Sequence, residues 1–473
     1  MIDEKTKASV WFTICNFIVK AISFITIPIF TRMMSPIEYG RMSVYYSYEQ
    51  FFLILATMEL SLGAYQRGIL RYKNNLALFT SSLLSLSNII TLLISLGLYI
   101  RIKTLANFMQ VSVDVFILMT VYFFFQPSYA TWQNRQRFSY RYKPVVISTI
   151  LFTLLTVLGP MAGLIIFGPY ANVKIGTMLV FEILFCIPFC IKQINIPLMI
   201  RNSDKVLEMW RFSFMFQWPL VLHSFSYLVL GQSDRVMIQK MVGDSEAGIY
   251  SIAYTFANAL LIFQTSINQV YKPWRYQILE SKQYKSLAEK TNFHLLLFFV
   301  ITTTFLLIVP DIFYLIMPKY YYQCIWIIPP IAVGIYFMFL YTVFTDVESY
   351  YGATKAIMFV SLICAILNIL GNYIGISTFG FQSCAYVTMV CYTIFSILHY
   401  IFMIRVLKEE CINQRLFNFK KIFLLSTAMI GMVPVTLLLY SNGFIRYVVI
   451  LIIAVIVIIN INEILKYKRR IQN

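Results

Sequence analysis

The titratable side chains singled out inside apolar stretches, where a charge is costly, are Lys20, Glu49, Glu59, Glu182 and His223. In a bilayer interior such groups face a cavity or a partner. Lys20 stands about ten residues into the first stretch and Glu49 about nine into the second, which places both roughly 13–15 Å deep at 1.5 Å of rise per residue. Two consecutive antiparallel helices would bring them together, either as a structural ion pair or as a site that exchanges partners when substrate or a proton arrives. Glu182 falls near mid-depth of its stretch, and Glu59 falls toward the inner end of the second. His223 is the main mid-depth titratable group of the second half; it could sense protons, although a lone histidine more often serves packing. Three further cations, Arg67, Lys272 and Arg275, follow the ends of the second and eighth stretches. Flanking a shared cleft, they and Lys20 could hold a pyrophosphate by charge-assisted hydrogen bonds, with arginine suited to the bidentate fork. Their other reading is orientation by positive charge.

Other chemistry is missing. No glycine-rich loop is followed by Lys-Ser or Lys-Thr, so no nucleotide-driven motor is encoded. His223, His294 and His399 match no metal-ligand spacing, and the eight cysteines include no CxxC pair. No catalytic residue, metal or cofactor is expected.

These residues must be held by membrane helices. The chain has 473 residues, 59% of them hydrophobic and 12% charged, with a mean hydropathy of +0.74. A soluble domain carries about 25% charged residues. The first lobe reads as spans at 10–30, 40–63, 77–99, 111–131, 144–167 and 171–191. A second lobe reads as 212–231, 246–271, 293–317, 324–346, 356–374 and 380–404, followed by a pair at 422–440 and 444–465. Each is about the length that crosses a bilayer core. The first is read as a retained span and not as a signal peptide. The net charge of +18 sits in short loops, and basic residues on the inner side outnumber those outside by about three to one, which puts both termini in the cytoplasm. That pattern signals orientation and not nucleic-acid binding.

The chain also repeats itself. Shifting by 208 positions matches Arg32 with Lys240, Met33 with Met241, Glu38 with Glu246, Gly40 with Gly248, Ser43 with Ser251 and Tyr46 with Tyr254. Both copies start on the same side, as parallel repeats of a transporter do. The stretch from Gly231 to Tyr254 reads as a polar hinge on the outer face. Asp234 and Arg235 would fix its turn and Glu246 and Gly248 would start the next span. Arg32, Glu38 and Gly40 would complete an outer gate.

The run Phe30-Thr31-Arg32-Met33-Met34-Ser35-Pro36-Ile37-Glu38-Tyr39-Gly40 resembles the start of Wzx-type polysaccharide flippases. So do Ser233-Asp234-Arg235-Val236-Met237-Ile238, Gly248-Ile249-Tyr250-Ser251, Tyr271-Lys272-Pro273-Trp274, and Pro219 with His223. That family belongs to the multidrug/oligosaccharidyl-lipid/polysaccharide exporter superfamily. The resemblance implies an all-α polytopic membrane protein of about fourteen helices, with two six-helix lobes in a V around a central cavity and two C-terminal helices. The corresponding divisions are 1–193, a cytoplasmic linker at 194–211, 212–404, and 405–473. It implies export of undecaprenyl-pyrophosphate-linked oligosaccharide repeat units across the bacterial inner membrane by alternating access, for O-antigen, lipopolysaccharide or capsule. A proton or sodium gradient would drive it, and the polymerase and chain-length proteins of the same pathway would be partners. A multidrug antiporter of the same fold is the alternative; it would want an acidic cavity for cationic substrates. A polytopic polymerase or glycosyltransferase would normally show a long external loop, and none is present.

Overall fold

The computed structural model describes residues 4–412 and 416–459, and within them the chain is helical with no strand. In chain order the first ten helices are α1 Glu4–Met33, α2 Pro36–Thr57, α3 Gly63–Arg71, α4 Leu76–Tyr99, α5 Ile102–Met109, α6 Val113–Phe138, α7 Tyr142–Phe167, α8 Ala171–Gln193, α9 Ile196–Ile200 and α10 Ser203–Met241. Then come α11 Asp244–Ala257, α12 Ala259–Glu280, α13 Tyr284–Ile316, α14 Ile328–Tyr350, α15 Thr354–Phe379, α16 Ser383–Glu409, α17 Phe419–Tyr440 and α18 Gly443–Ile459.

Among the described residues, eleven helical segments are long and apolar enough to cross a membrane, which makes this a multi-pass membrane protein. The three expected spans beyond those eleven have identifiable reasons. Helices α2 and α10 are long enough, at 22 and 39 residues, but polar along much of their length. Helix α18 is apolar over Gly443–Ile452, and its expected end at 465 lies outside the described residues.

Local sequence sets the ends that matter. Ser35 caps α2, accepting the Glu38 N–H at 3.3 Å, and Pro36 takes the first helical position, where its missing N–H is harmless. Helix α2 stops at Thr57, earlier than the expected 63, because Met58 and Glu59 both take φ of 49°. That left-handed pair opens a turn into α3. In the other direction, α10 runs unbroken through Gly231 to Met241. The expected hinge is therefore confined to the two residues before α11, and Asp234 and Arg235 are interior helical residues, not turn residues. The helix persists because its polar side chains find buried partners, described below. Likewise the expected loops at 194–211 and beyond Lys272 are largely helical, in α9, α10 and α12.

Two compact units result. The first is Met1–Thr255 with Lys355–Val387, and the second is Phe256–Thr354 with Thr388–Asn473. In the first, α8 packs on α6 and α7, α1 on α7, and α2 on α10. Its inner packing centres on Phe79, which stacks with Tyr65 at 5.9 Å and Tyr72 at 4.9 Å between ring centroids. In the second unit, α14 packs against α12, α13 and α17 and buries most of its length. Lipid offers no hydrophobic drive for such helix pairing, so close packing and buried polar contacts hold it together.

Candidate functional site

The repeat read in the sequence is repeated in three dimensions. Helices α1 and α10 end at Met33 and Met241, and α2 and α11 begin at Pro36 and Asp244, each pair 208 residues apart. Arg32 and Lys240 stand in the last turns of their helices, and Glu38 and Glu246 in the first turns of theirs. Each charge is on the side of the helix dipole that favours it.

The matched glycines touch. A Cβ on Gly40 would lie 1.7 Å from the Asp244 carbonyl oxygen, and one on Gly248 would lie 2.6 Å from the Pro36 oxygen. Only glycine lets α2 and α11 cross this closely. Arg41 fastens the crossing, its Nε donating to Asp244 Oδ2 and its Nη1 to Glu38 Oε1, both at 2.9 Å. The other oxygen of Glu38 accepts the Ala171 N–H at 2.6 Å, tying in the start of α8. Gln239 Nε2 donates to Asp244 Oδ1 at 2.9 Å. Arg41 and Asp244 went unselected from sequence because neither is matched by the repeat.

Below the crossing, Asp234 is buried and accepts from the Tyr250 hydroxyl at 2.6 Å and from Asn372 Nδ2 at 2.8 Å. Asn372 and the Ser233 hydroxyl also donate to Asn368 Oδ1, at 3.1 and 2.9 Å. Asn368 and Asn372 are four apart on α15 and so share one helix face, a signal present in the sequence.

A cavity of about 370 Å³ opens in the same unit, between α1, α2, α7, α8, α10 and α11. Lys174 and Arg235, both buried, line it. Lys174 Nζ donates to the Met42 sulfur at 2.6 Å and lies 3.6 Å above the Phe30 ring. Arg235 donates to Gln232 Oε1 and lies 4.6 Å above the Tyr254 ring. Among the described residues neither has an ion-pair partner. The rest of the lining among the described residues is hydroxyl, amide and apolar, with no carboxylate. Lys174 stands in the first turn of α8, near the start of the span expected at 171–191, and is nonetheless buried.

The expected acids behave differently from one another. Glu49 on α2 and Glu182 on α8 are both buried. Glu182 Oε2 has no hydrogen-bond partner among the described residues. Lys20 does not join them: it is exposed, because equal depth does not fix which way a helix faces, and α1 packs chiefly along α7. Among the described residues the expected Lys20–Glu49 ion pair is therefore not formed. Glu59 is half-buried in the turn after α2, and Arg67 is exposed on α3. The side chain of His223 lies outside the described residues.

In the second unit, Arg275 is buried and ion-paired with Asp346 on α14, and exposed Lys272 reaches the same carboxylate at 3.3 Å. Asn268 Oδ1 accepts from Arg275 Nη2 at 3.3 Å. So two of the expected anion-binding cations converge, on a carboxylate of the protein itself. Nearby on the same helix, Glu348 Oε2 and His399 Nδ1 are 2.9 Å apart and wholly buried. His399 matches no metal-ligand spacing in the sequence, and Glu348 lies just past the expected end of its span at 346, so neither stands out there.

A two-unit, all-helical membrane chain with an internal repeat, close glycine crossings and buried charges has the architecture of a polytopic transporter. Solved structures agree on the fold. Lipid II flippase MurJ in an inward closed conformation superposes with a TM-score of 0.67 at 15% identity, covering 96% of this chain and all of that one. An inward-facing multidrug resistance MATE family transporter of the MOP superfamily gives 0.67 at 12% identity, covering 86% of this chain and all of that one. The family described as "Polysaccharide biosynthesis protein" matches residues 6–279, and the MatE family matches 219–374. The chain belongs to the polysaccharide biosynthesis protein family, and the proteins it resembles are transporters and flippases. A curated relative, the succinoglycan biosynthesis transport protein ExoT of Rhizobium meliloti (strain 1021), is 23% identical over 243 residues, 50% of this chain. The match spans a little under half, 46%, of that relative's length.

Proposed function

We propose that this protein is a flippase that moves undecaprenyl-pyrophosphate-linked oligosaccharide repeat units from the cytoplasmic to the outer leaflet of a bacterial inner membrane, with both termini cytoplasmic. The product would feed a surface polymer such as O-antigen or capsule. The observation that carries this reading is the lining of the cavity in the first unit: two buried cations among hydroxyls and amides, with no carboxylate. A cavity of that character suits an anionic, hydroxyl-rich cargo and disfavours the cationic substrates of a multidrug antiporter.

Alternating access needs two states that substrate and ion bias differently. In this reading the α2–α11 glycine crossing, fastened by Arg41, Glu38 and Asp244, is the outer gate. Glu49 and Glu182, two buried carboxyls of the same unit, are the ion-coupling groups, since a buried carboxylate needs a compensating cation, a proton or sodium. Lys20, Arg67 and Lys272 remain candidates to meet the pyrophosphate at the inner side; Arg275 would have to exchange Asp346 for it.

Deleting the gene tests the reading. Loss of surface polysaccharide, restored by the wild-type gene, with drug susceptibility unchanged, is the expected result. Unaltered polysaccharide together with new drug sensitivity would overturn it in favour of an antiporter.

A further inference from the structure

Lys174 and Arg235 are 6% and 8% exposed, yet among the described residues no carboxylate pairs with either. A buried cation is normally matched, because removing it from water is heavily penalised. The aromatic faces of Phe30 and Tyr254 offset part of that penalty. They leave most donors unspent: lysine has three N–H groups and arginine five. The Met42 sulfur takes one from Lys174 and the Gln232 oxygen one from Arg235. Both side chains line the same cavity. Around them stand the hydroxyls of Ser43, Thr153, Thr156 and Ser251 and the amides of Gln50 and Gln232. The volume, about 370 Å³, is at the small end of the roughly 300–1,000 Å³ typical of small-molecule sites. It suits a sugar or two, not a whole repeat unit.

We propose that this cavity is an anion-selective sugar subsite, in which Lys174 and Arg235 receive a carboxylate or similar acidic substituent on a sugar ring while the hydroxyl and amide walls bind the ring. The inference rests on the flippase reading and narrows its cargo to acidic oligosaccharides. The other source of oxyanion charge is the pyrophosphate of the lipid carrier. A pyrophosphate concentrates charge on adjacent phosphates; it can accept from hydroxyls, but it has no ring face to lay against the aromatic part of the wall. A ring bearing one acid group uses both.

The test is equilibrium binding to the full-length protein in detergent, with trigalacturonate, neutral maltotriose and inorganic pyrophosphate as probes. Trigalacturonate should bind the wild type well above maltotriose. Lys174→Met should weaken it roughly tenfold to a hundredfold, the range expected for losing a hydrogen bond to a charged group, and Lys174→Arg should retain it. Equal binding of trigalacturonate and maltotriose to the wild type would overturn the proposal without any variant. So would trigalacturonate binding that ignores Lys174→Met, no binding of any probe, or a pyrophosphate affinity that falls with Lys174→Met more than that of trigalacturonate. The last result would assign the cavity to the lipid head group. Sugar analysis separates the two levels of the argument. A deletion strain that loses a polymer built only of neutral sugars sinks the acidic subsite and leaves the flippase reading standing.

Discussion

Gly40→Ala attacks the α2–α11 crossing at its narrowest point. The new Cβ would lie 1.7 Å from the Asp244 carbonyl oxygen, whereas ordinary contact begins near 3.4 Å. The obstacle is backbone, so no rotamer change relieves it, and the helices must part by roughly 2 Å. Overpacking of this kind costs about 1–3 kcal/mol. Only the state in which the crossing is closed bears that cost, so the equilibrium should move away from it by roughly 5- to 150-fold. Parting also pulls Arg41 from Asp244, which loosens the starts of both helices. Hydrogen exchange in detergent reads this directly: amides over 36–44 and 244–252 should exchange faster by a similar factor, with α14 unchanged as an internal standard. Gly248→Ala should act in the same direction, since its Cβ would meet the Pro36 oxygen at 2.6 Å. Gly231 is the control, because a Cβ there meets nothing within 4 Å. If Gly40→Ala exchanges like the wild type, or Gly231→Ala loosens the same segments equally, the crossing is not what holds this state.

Gly231→Ala should itself be neutral or stabilising by up to about 1 kcal/mol, as glycine to alanine is inside a helix; a destabilised thermal midpoint would contradict an unbroken α10. Asp346→Ala strands the buried Arg275 charge and should cost about 3–5 kcal/mol in unfolding measurements, with much of the loss recovered by adding Arg275→Met. Lys272→Ala, by contrast, removes an exposed partner and should cost less than about 1 kcal/mol. Asp234→Ala leaves Tyr250 and Asn372 without their acceptor, about 1–3 kcal/mol for each buried donor, and Asp234→Asn should be milder by the same melt. Glu182→Gln should leave substrate exchange intact in vesicles while abolishing its response to an imposed proton or sodium gradient; an unchanged response would remove Glu182 from the coupling role.

The repeat was legible to the residue: the same 208-residue shift that aligns Gly40 with Gly248 also aligns the helix ends on either side. It was legible because the pattern of a cation, an acid six residues on and a glycine two after that reports local geometry, namely a last turn, a first turn and a close crossing. Facing was less visible. Depth counting matched Lys20 to Glu49 but could not say that α1 turns its lysine outward while α2 buries its glutamate. Lys174 was hidden for a related reason: it stands in the first turn of its expected span, and the span's bounds do not say whether a cation there is solvated or sealed in. Asp234 and Arg235 read as turn formers because polar pairs usually are. Their buried partners on α11 and α15 are what keep α10 helical there, and the amide pair Asn368 and Asn372, at helical spacing, was the clue to that arrangement.

Translocation by the purified protein is the most direct test of the flippase reading. Full-length protein would be reconstituted into liposomes carrying an undecaprenyl-pyrophosphate-linked acidic oligosaccharide, with transfer between leaflets followed by accessibility of the sugar to a membrane-impermeant enzyme. The expected result is transfer well above protein-free liposomes, slowed by Lys174→Met. Transfer no faster than in protein-free liposomes, from protein that is folded and inserted, would contradict it.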